Sequence, residues 1–250
     1  MLKAVKCVKY DAGVSEEATH EVVIEEPLAI FVNGRHVVTA MISPQLKEEF
    51  VIGHLFSEGI INGVQEVESL QIEKTIAKVL ITRPFKVVAA RKVIVSGCGG
   101  EISFLDESKL PKVQSSTRFE QGAILEGVKT ILHSPLHQAT GGVHVVGLFT
   151  QNADTAICIA EDIGRHNALD KVIGYGLRAN VAFDTTFIAS TGRISSEMAL
   201  KGSLATIPLI ASRGATTSLA IELGEKSGLC ICGFVRGEKL NVYTHAERLA

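Results

Sequence analysis

The alternation of hydrophobic and polar positions divides the chain into two unlike parts. Between Val22 and Met41 (VVIEEPLAIFVNGRHVVTAM) two β-rich runs flank Asn33-Gly34, the strongest short hairpin signal a sequence carries. Ser43 and Pro44 then supply an N-cap and an N1 proline, and Leu46, Phe50 and Phe56 form the apolar side of a helix ending near Gly59. Two more strand-like runs follow and finish in RKVIV, which predicts a small mixed α+β domain over residues 1–95. From Lys109 to Ser116 the chain turns polar, so residues 96–116 are expected to form a mobile loop between domains.

Beyond that loop the period changes. Thr117 and Glu120 form a T-x-x-E capping box ahead of Ile124, Leu125, Val128, Ile131 and Leu132 at helical spacing. Apolar strands (VHVVGLF, TAICIA, TTFIAS, IPLIAS, LCICGFV, KLNVYT) then alternate with short helical segments. Such alternation predicts a mostly parallel sheet with helices on both faces, a three-layer α/β/α domain over residues 117–250.

Composition narrows the class without changing this picture. Hydrophobic residues make up 46% and charged residues 21% of the 250, as expected for a globular protein. The net charge of −2 provides no overall basic field, so nucleic acid is not an expected partner. No secretory signal and no apolar run of membrane-spanning length is visible, which makes the cytoplasm the expected compartment and a membrane no expected partner. Five cysteines, an odd number in a chain of this size, argue for reduced thiols. Cys7, Cys158, Cys230 and Cys232 lie in apolar strand-like stretches and are expected to be buried hydrophobes.

Cys98 is different. It sits in VSGCGGEISF (95–104), among glycines 97, 99 and 100 and after Arg91 and Lys92, and free amides and nearby cations favour a reactive thiolate. A second constellation lies in the C-terminal part, where four strands end in turns carrying Arg165 (EDIGR), Arg193 (STGR), Arg213 (ASR) and Arg236 (GFVR). Ligands of open α/β sheets bind beyond the carboxyl ends of strands, and arginine forks hold phosphate bidentately. Any one of these arginines fits a helix cap or a surface ion pair; four at equivalent positions favour a polyanion site. His144, Asp162, His166 and Asp170 are further candidates, with His166 and Asp170 four apart on one predicted helix face, where the carboxylate could orient the ring. Zinc is not expected: Cys230-x-Cys232 has the wrong spacing, and Pro135 separates His133 from His137.

In order along the chain, EEPLAIFVNGR, GHLFSEGII, SGCGG, TGGVH, EDIGRHNALDKVIG, STGRISSEMALKG, TTSLAIELGEKSGL and GFVRGEKLNVYTH resemble the motif series of the formate dehydrogenase accessory sulfurtransferase family (FdhD/NarQ). The resemblance covers Glu25 to His245. It implies a cytidine-deaminase-like C-terminal domain, although the H-x-E and P-C-x-x-C zinc signature of deaminases is missing. It also implies a sulfurtransferase that receives a persulfide from a cysteine desulfurase on Cys98 and passes the sulfur to the molybdenum bis(molybdopterin guanine dinucleotide) cofactor of formate dehydrogenase. The cofactor is then a bound substrate, held at Phe234, Val235, Arg236, Gly237, Glu238 and Lys239, and a homodimer would present one pocket to each guanine dinucleotide arm. Two departures from the family pattern stand out: Glu101 replaces the second cysteine of a C-x-x-C loop, which excludes a two-thiol relay there, and Thr216 replaces a common proline. The alternatives are a chaperone that holds the same cofactor without covalent chemistry, and a nucleotide hydrolase or deaminase.

Overall fold

The computed structural model describes residues 1–82, 93–94, 101–102, 110–153 and 155–250. Cys98, and with it the glycine-rich segment read as its loop, lies outside the described residues.

The chain opens with a hairpin of β1 (Leu2–Asp11) and β2 (Val14–Val23), paired from Leu2↔Val23 to Asp11↔Val14 and exposed along nearly its whole length. Cys7 is therefore exposed, contrary to the expectation of a buried hydrophobe. Strand alternation buries a side chain only where the strand joins a covered sheet, and this hairpin pairs with neither of the two larger ones.

The predicted Asn33-Gly34 hairpin is present. Both residues have positive φ, 48° and 77°, which matches the twist of the strands they connect, β3 (Glu26–Val32) and β4 (Arg35–Ile42). With β5 (Val67–Glu73) and β6 (Ile76–Ile81) they form a sheet in the order β4-β3-β6-β5. Helix α1 (Lys47–Ser57) covers it, burying Phe50, Val51, Ile52 and Leu55 with Leu28, Ile30, Val32, Val79 and Ile81. The helix begins at Lys47, three residues after the expected first helical position, Pro44. Ser43 instead reaches across the fold: its N–H donates to Asp162 Oδ2 (3.0 Å) and its Oγ accepts from the Ile163 N–H (3.2 Å). A buried carboxylate outcompetes a helix terminus that water can serve.

Two short strands follow, β7 (Val93–Ile94) and β8 (Glu101–Ile102), which pair antiparallel. Part of the predicted mobile loop is anchored. Leu110 and Val113 are buried, Val113 N–H donates to Ser227 O (2.7 Å), and the Arg248 guanidinium donates to the carbonyls of Val113 (3.2 Å) and Ser115 (2.6 Å).

The second sheet has the order β10-β9-β11-β12-β13-β14, from β9 (His144–Thr150), β10 (Ala156–Asp162), β11 (Thr186–Ser190), β12 (Leu209–Ser212), β13 (Cys230–Arg236) and β14 (Lys239–Thr244). It is mixed rather than mostly parallel: only β11–β12 and β12–β13 are parallel. The β9–β10 and β13–β14 connections are too short for a parallel crossover. Helices α4 (Arg165–Arg178), α5 (Ser196–Leu204) and α6 (Ser218–Ser227) pack on one face through Val172, Met198 and Leu223. Helix α2 (Gln121–Leu132) covers the other face through Ile124, Val128 and Ile131, over the stacked rings of Phe149 and Phe187. The expected capping box does not form: α2 begins after Glu120, and Thr117 Oγ1 donates to Asp184 O (3.0 Å). A short helix α3 (Pro135–Thr140) leads into β9.

The two parts meet where α1 crosses α4. A Cβ on Gly53 would overlap the backbone of Asp170, and one on Gly174 the backbone of Glu49, so glycine at both positions allows backbone-to-backbone contact. Two buried ion pairs close the junction. Lys171 Nζ lies 2.6 Å from Asp162 Oδ2 and donates to Ser43 O (2.9 Å). Asp170 accepts from Lys201 Nζ (2.6 Å), from Ser57 Oγ (2.9 Å) and from His54 Nδ1 (3.3 Å). Burial alone would raise the Asp170 carboxyl, but the Lys201 ammonium and His54 outweigh it and bring it down to about 2.

Candidate functional site at the strand ends

Strand β9 runs against both of its neighbours, so β10, β11, β12 and β13 all point the same way. Their carboxyl ends form one edge, and that edge receives all four arginines picked out from the sequence. Arg193, Arg213 and Arg236 are exposed and Arg165 is half-buried. Among the described residues, no carboxylate pairs with Arg193, Arg213 or Arg236. Helices α4, α5 and α6 start just after these turns, so their N-termini add partial positive charge to the same edge.

Two turns are built alike, and the cause is a local repeat, I-A-S-x-G, at 188–192 and 210–214. In the first, Ser190 Oγ accepts from the Gly192 N–H (3.1 Å); in the second, Ser212 Oγ accepts from the Gly214 N–H (2.9 Å). Ser212 Oγ also donates to Gly192 O (2.6 Å), which locks one turn to the next. Each turn closes on glycine for a steric reason. A Cβ on Gly192 would lie 3.0 Å from Arg165 Cβ and 3.2 Å from His144 Nδ1, and one on Gly214 would lie 3.3 Å from Arg193 N. These serines and glycines were not among the expected site residues, although the repeat could have revealed them.

The third turn holds the segment expected at the ligand. A β-bulge interrupts β13 between Gly233 and Arg236, and Phe234 has a φ of 51°. A bulky residue in the left-handed region costs on the order of 1–3 kcal/mol and is kept where its placement matters. Phe234 is 41% exposed, with the Arg236 guanidinium 5.7 Å from its ring centroid. Its N–H donates to Gly214 O (2.9 Å), so the bulge is tied to the neighbouring glycine turn. Arg236, Gly237, Glu238 and Lys239 are exposed beside it, whereas the Val235 side chain belongs to the core under α2. Val235 can therefore meet a ligand only through its backbone.

The expected His166–Asp170 pair does not form, because helices on either side supply closer partners. Asp170 turns to Lys201 and His54, while His166 Nε2 contacts Ser195 Oγ (3.1 Å) and Glu197 Oε2 (2.9 Å). The hydrogen bond from His166 lowers the Glu197 pKa despite burial. His144, the first residue of β9, lies at the same edge opposite Asp162. Cys158, Cys230 and Cys232 are buried as expected; burial pushes the Cys158 thiol up to about 12, and the contact with Cys232 together with burial raises that of Cys230. Neither Cys158 nor Cys230 is poised as a thiolate.

The family model for FdhD/NarQ matches residues 23–250. The chain belongs to the FdhD/NarQ family. It is 36% identical to the sulfur carrier protein FdhD of Geobacillus kaustophilus, with 96% of this chain and 94% of that one covered. A protein of the same name from Sulfolobus acidocaldarius is also 36% identical, over 99% of this chain and 98% of its own. Among solved structures, a formate dehydrogenase accessory protein from Desulfotalea psychrophila superposes with a TM-score of 0.84 at 28% identity, covering 100% of this chain and 99% of the other. The likeness extends over the whole mixed α/β architecture described above. No helix among the described residues is long and apolar enough to cross a membrane.

Proposed function

We propose that the protein is a sulfur carrier that loads sulfur on Cys98 from a cysteine desulfurase and passes it to the molybdenum bis(molybdopterin guanine dinucleotide) cofactor of a formate dehydrogenase. The observation that carries the cofactor half of this reading is the single edge bearing Arg165, Arg193, Arg213 and Arg236, with Phe234 held open beside it. Two pyrophosphate groups and two guanines need this combination: guanidinium forks for the phosphates and an aromatic face for a base. The names of the relatives support the sulfur half.

The chemistry is thiol exchange. The Cys98 thiolate attacks the outer sulfur of the desulfurase persulfide, a new S–S bond forms, and the donor cysteine leaves as its thiolate. Breaking the S–S bond of the Cys98 persulfide would then return the Cys98 thiolate and leave the outer sulfur bonded to the metal of the cofactor, the substrate that would supply the two electrons reducing sulfane sulfur to sulfide. Glu101 in place of a second loop cysteine suits a carrier, because a neighbouring thiol would attack the persulfide and release sulfide. In this reading residues 1–95 form one domain and residues 117–250 a deaminase-like domain without deaminase chemistry. The protein works in the cytoplasm as a homodimer with one cofactor arm in each pocket.

Mass spectrometry tests the covalent step. Incubation with a cysteine desulfurase and cysteine is expected to add about 32 Da per sulfur to the peptide containing Cys98, removable by reductant. A peptide that never gains labile sulfur overturns the carrier mechanism and leaves a non-covalent cofactor chaperone.

A further inference from the structure

His144 lies on the arginine edge and has no part in the reading above. It begins β9, which starts where β10 and β11 end. Two hydrogen bonds fix the 191–193 turn against it: Val145 N–H to Thr191 Oγ1 and Thr191 N–H to Val145 O, both 3.0 Å. The His144 ring and the Arg165 side chain flank the bare backbone of Gly192.

We infer that His144 is a phosphate-contacting residue of this edge, and that its imidazole takes up a proton as a pyrophosphate diester docks. The inference rests on the reading of the edge as a polyanion site. Its basis is position: the ring stands at the carboxyl end of β10, opposite Asp162, and lines the Gly192 backbone together with the Arg165 side chain. Arg165 and His166 face it from α4 and His137 from α3; Asp162 opposes them from β10. Asp162 is committed to Lys171 (2.6 Å), to the Gly164 N–H (2.9 Å) and to Asn167 Nδ2 (2.9 Å). Glu197 on α5 is committed to His166, Glu161 on β10 accepts from the His137 N–H (2.8 Å), and Glu126 and Lys129 of α2 pair with each other. His137 Nδ1 is bonded to Val143 O (2.9 Å).

Burial, followed by Arg165, His137 and His166, holds the His144 ring below the usual histidine range, and Asp162 only partly opposes this. The ring is therefore neutral in the empty site near neutral pH. A docked phosphate brings negative charge next to the ring, and an adjacent negative charge raises a histidine pKa. Protonated His144 then donates to phosphate oxygen. The sign of the linkage follows. Between the empty and occupied pKa values, affinity rises as pH falls, by up to about tenfold per pH unit for one proton.

The test uses diguanosine 5′-pyrophosphate (GppG), a diester whose phosphates do not titrate in this range. Calorimetry of the full chain between about pH 6 and pH 8, in buffers of different ionisation enthalpy, reads both affinity and proton uptake. The wild type is expected to take up a proton, His144→Asn to bind without uptake and with a flattened pH profile, and the His144 ring resonance to titrate at higher pH with GppG present. Binding without proton uptake, or uptake retained in His144→Asn, overturns the role of His144. If the ring pKa does not move in the wild type, the inference fails however the variant folds. No GppG binding at all overturns the polyanion reading itself.

Discussion

One stretch of sequence, EDIGRHNALDK (161–171), feeds two regions of the molecule, and its charges meet opposite ends in each. In the junction between α1 and α4, Asp162, Asp170 and Lys171 are buried, and each ion has an opposite ion within hydrogen-bonding distance. At the strand-end edge, Arg165 joins Arg193, Arg213 and Arg236, and the last three have no carboxylate partner among the described residues. The contrast separates structural from functional charge. A compensated charge holds the fold, whereas a cluster of like charges left in one place is a site waiting for a counter-ion. EDIGRHNALDKVIG and STGRISSEMALKG thus each serve the architecture as well as the edge: Asp170 and Lys201, one from each, meet in the junction 116 and 147 residues from His54.

The comparison breaks first at Asp170. Asp170→Ala leaves Lys201 buried and unpaired, and is expected to cost about 3–5 kcal/mol in denaturant unfolding. A variant as stable as the wild type would show that the junction does not depend on this pair. The same carboxyl sets an acid limit. Its pKa is depressed to about 2, so its contribution is complete above the free carboxylate range and is lost as pH falls from about 4 toward 2. Unfolding of Asp170→Asn should be flatter across that window.

At the edge the opposite pattern is expected. Arg213→Gln and Arg236→Gln should leave unfolding free energy within about 0.5 kcal/mol of the wild type. Each should weaken GppG binding by about 1.5–3 kcal/mol, the worth of a hydrogen bond to a charged group. A loss of stability without loss of binding would place these arginines with the junction. A finer effect is expected at Phe234. Phe234→Gly relieves a left-handed conformation costing about 1–2 kcal/mol, against an entropy penalty of about 0.5–1 kcal/mol. Its melting temperature should not fall, while GppG affinity drops by the roughly 0.5–1.5 kcal/mol of an aromatic stacking contact.

Features written in neighbouring residues were legible in the sequence: the Asn33-Gly34 hairpin, the strand and helix order, and the arginine at each strand end. Features decided by distant partners were not. Ser43 has the form of a helix cap, yet its partner Asp162 lies 119 positions away. His166 and Asp170 share a helix face, but α5 and α1 provide each with a better partner. The parallel count failed because β9–β10 and β13–β14 are hairpins, which alternation of apolar runs does not distinguish from crossovers. The paired I-A-S-x-G turns were readable in principle, since a repeat after successive strands marks equivalent backbone geometry.

The central claim is that Cys98 carries the sulfur while the arginine edge holds its acceptor. It is tested most directly by restoring formate dehydrogenase activity in a host lacking its own family member, with wild type or Cys98→Ala. The account predicts that Cys98→Ala accumulates folded, binds GppG like the wild type and yields no active dehydrogenase. Full dehydrogenase activity with Cys98→Ala would contradict it.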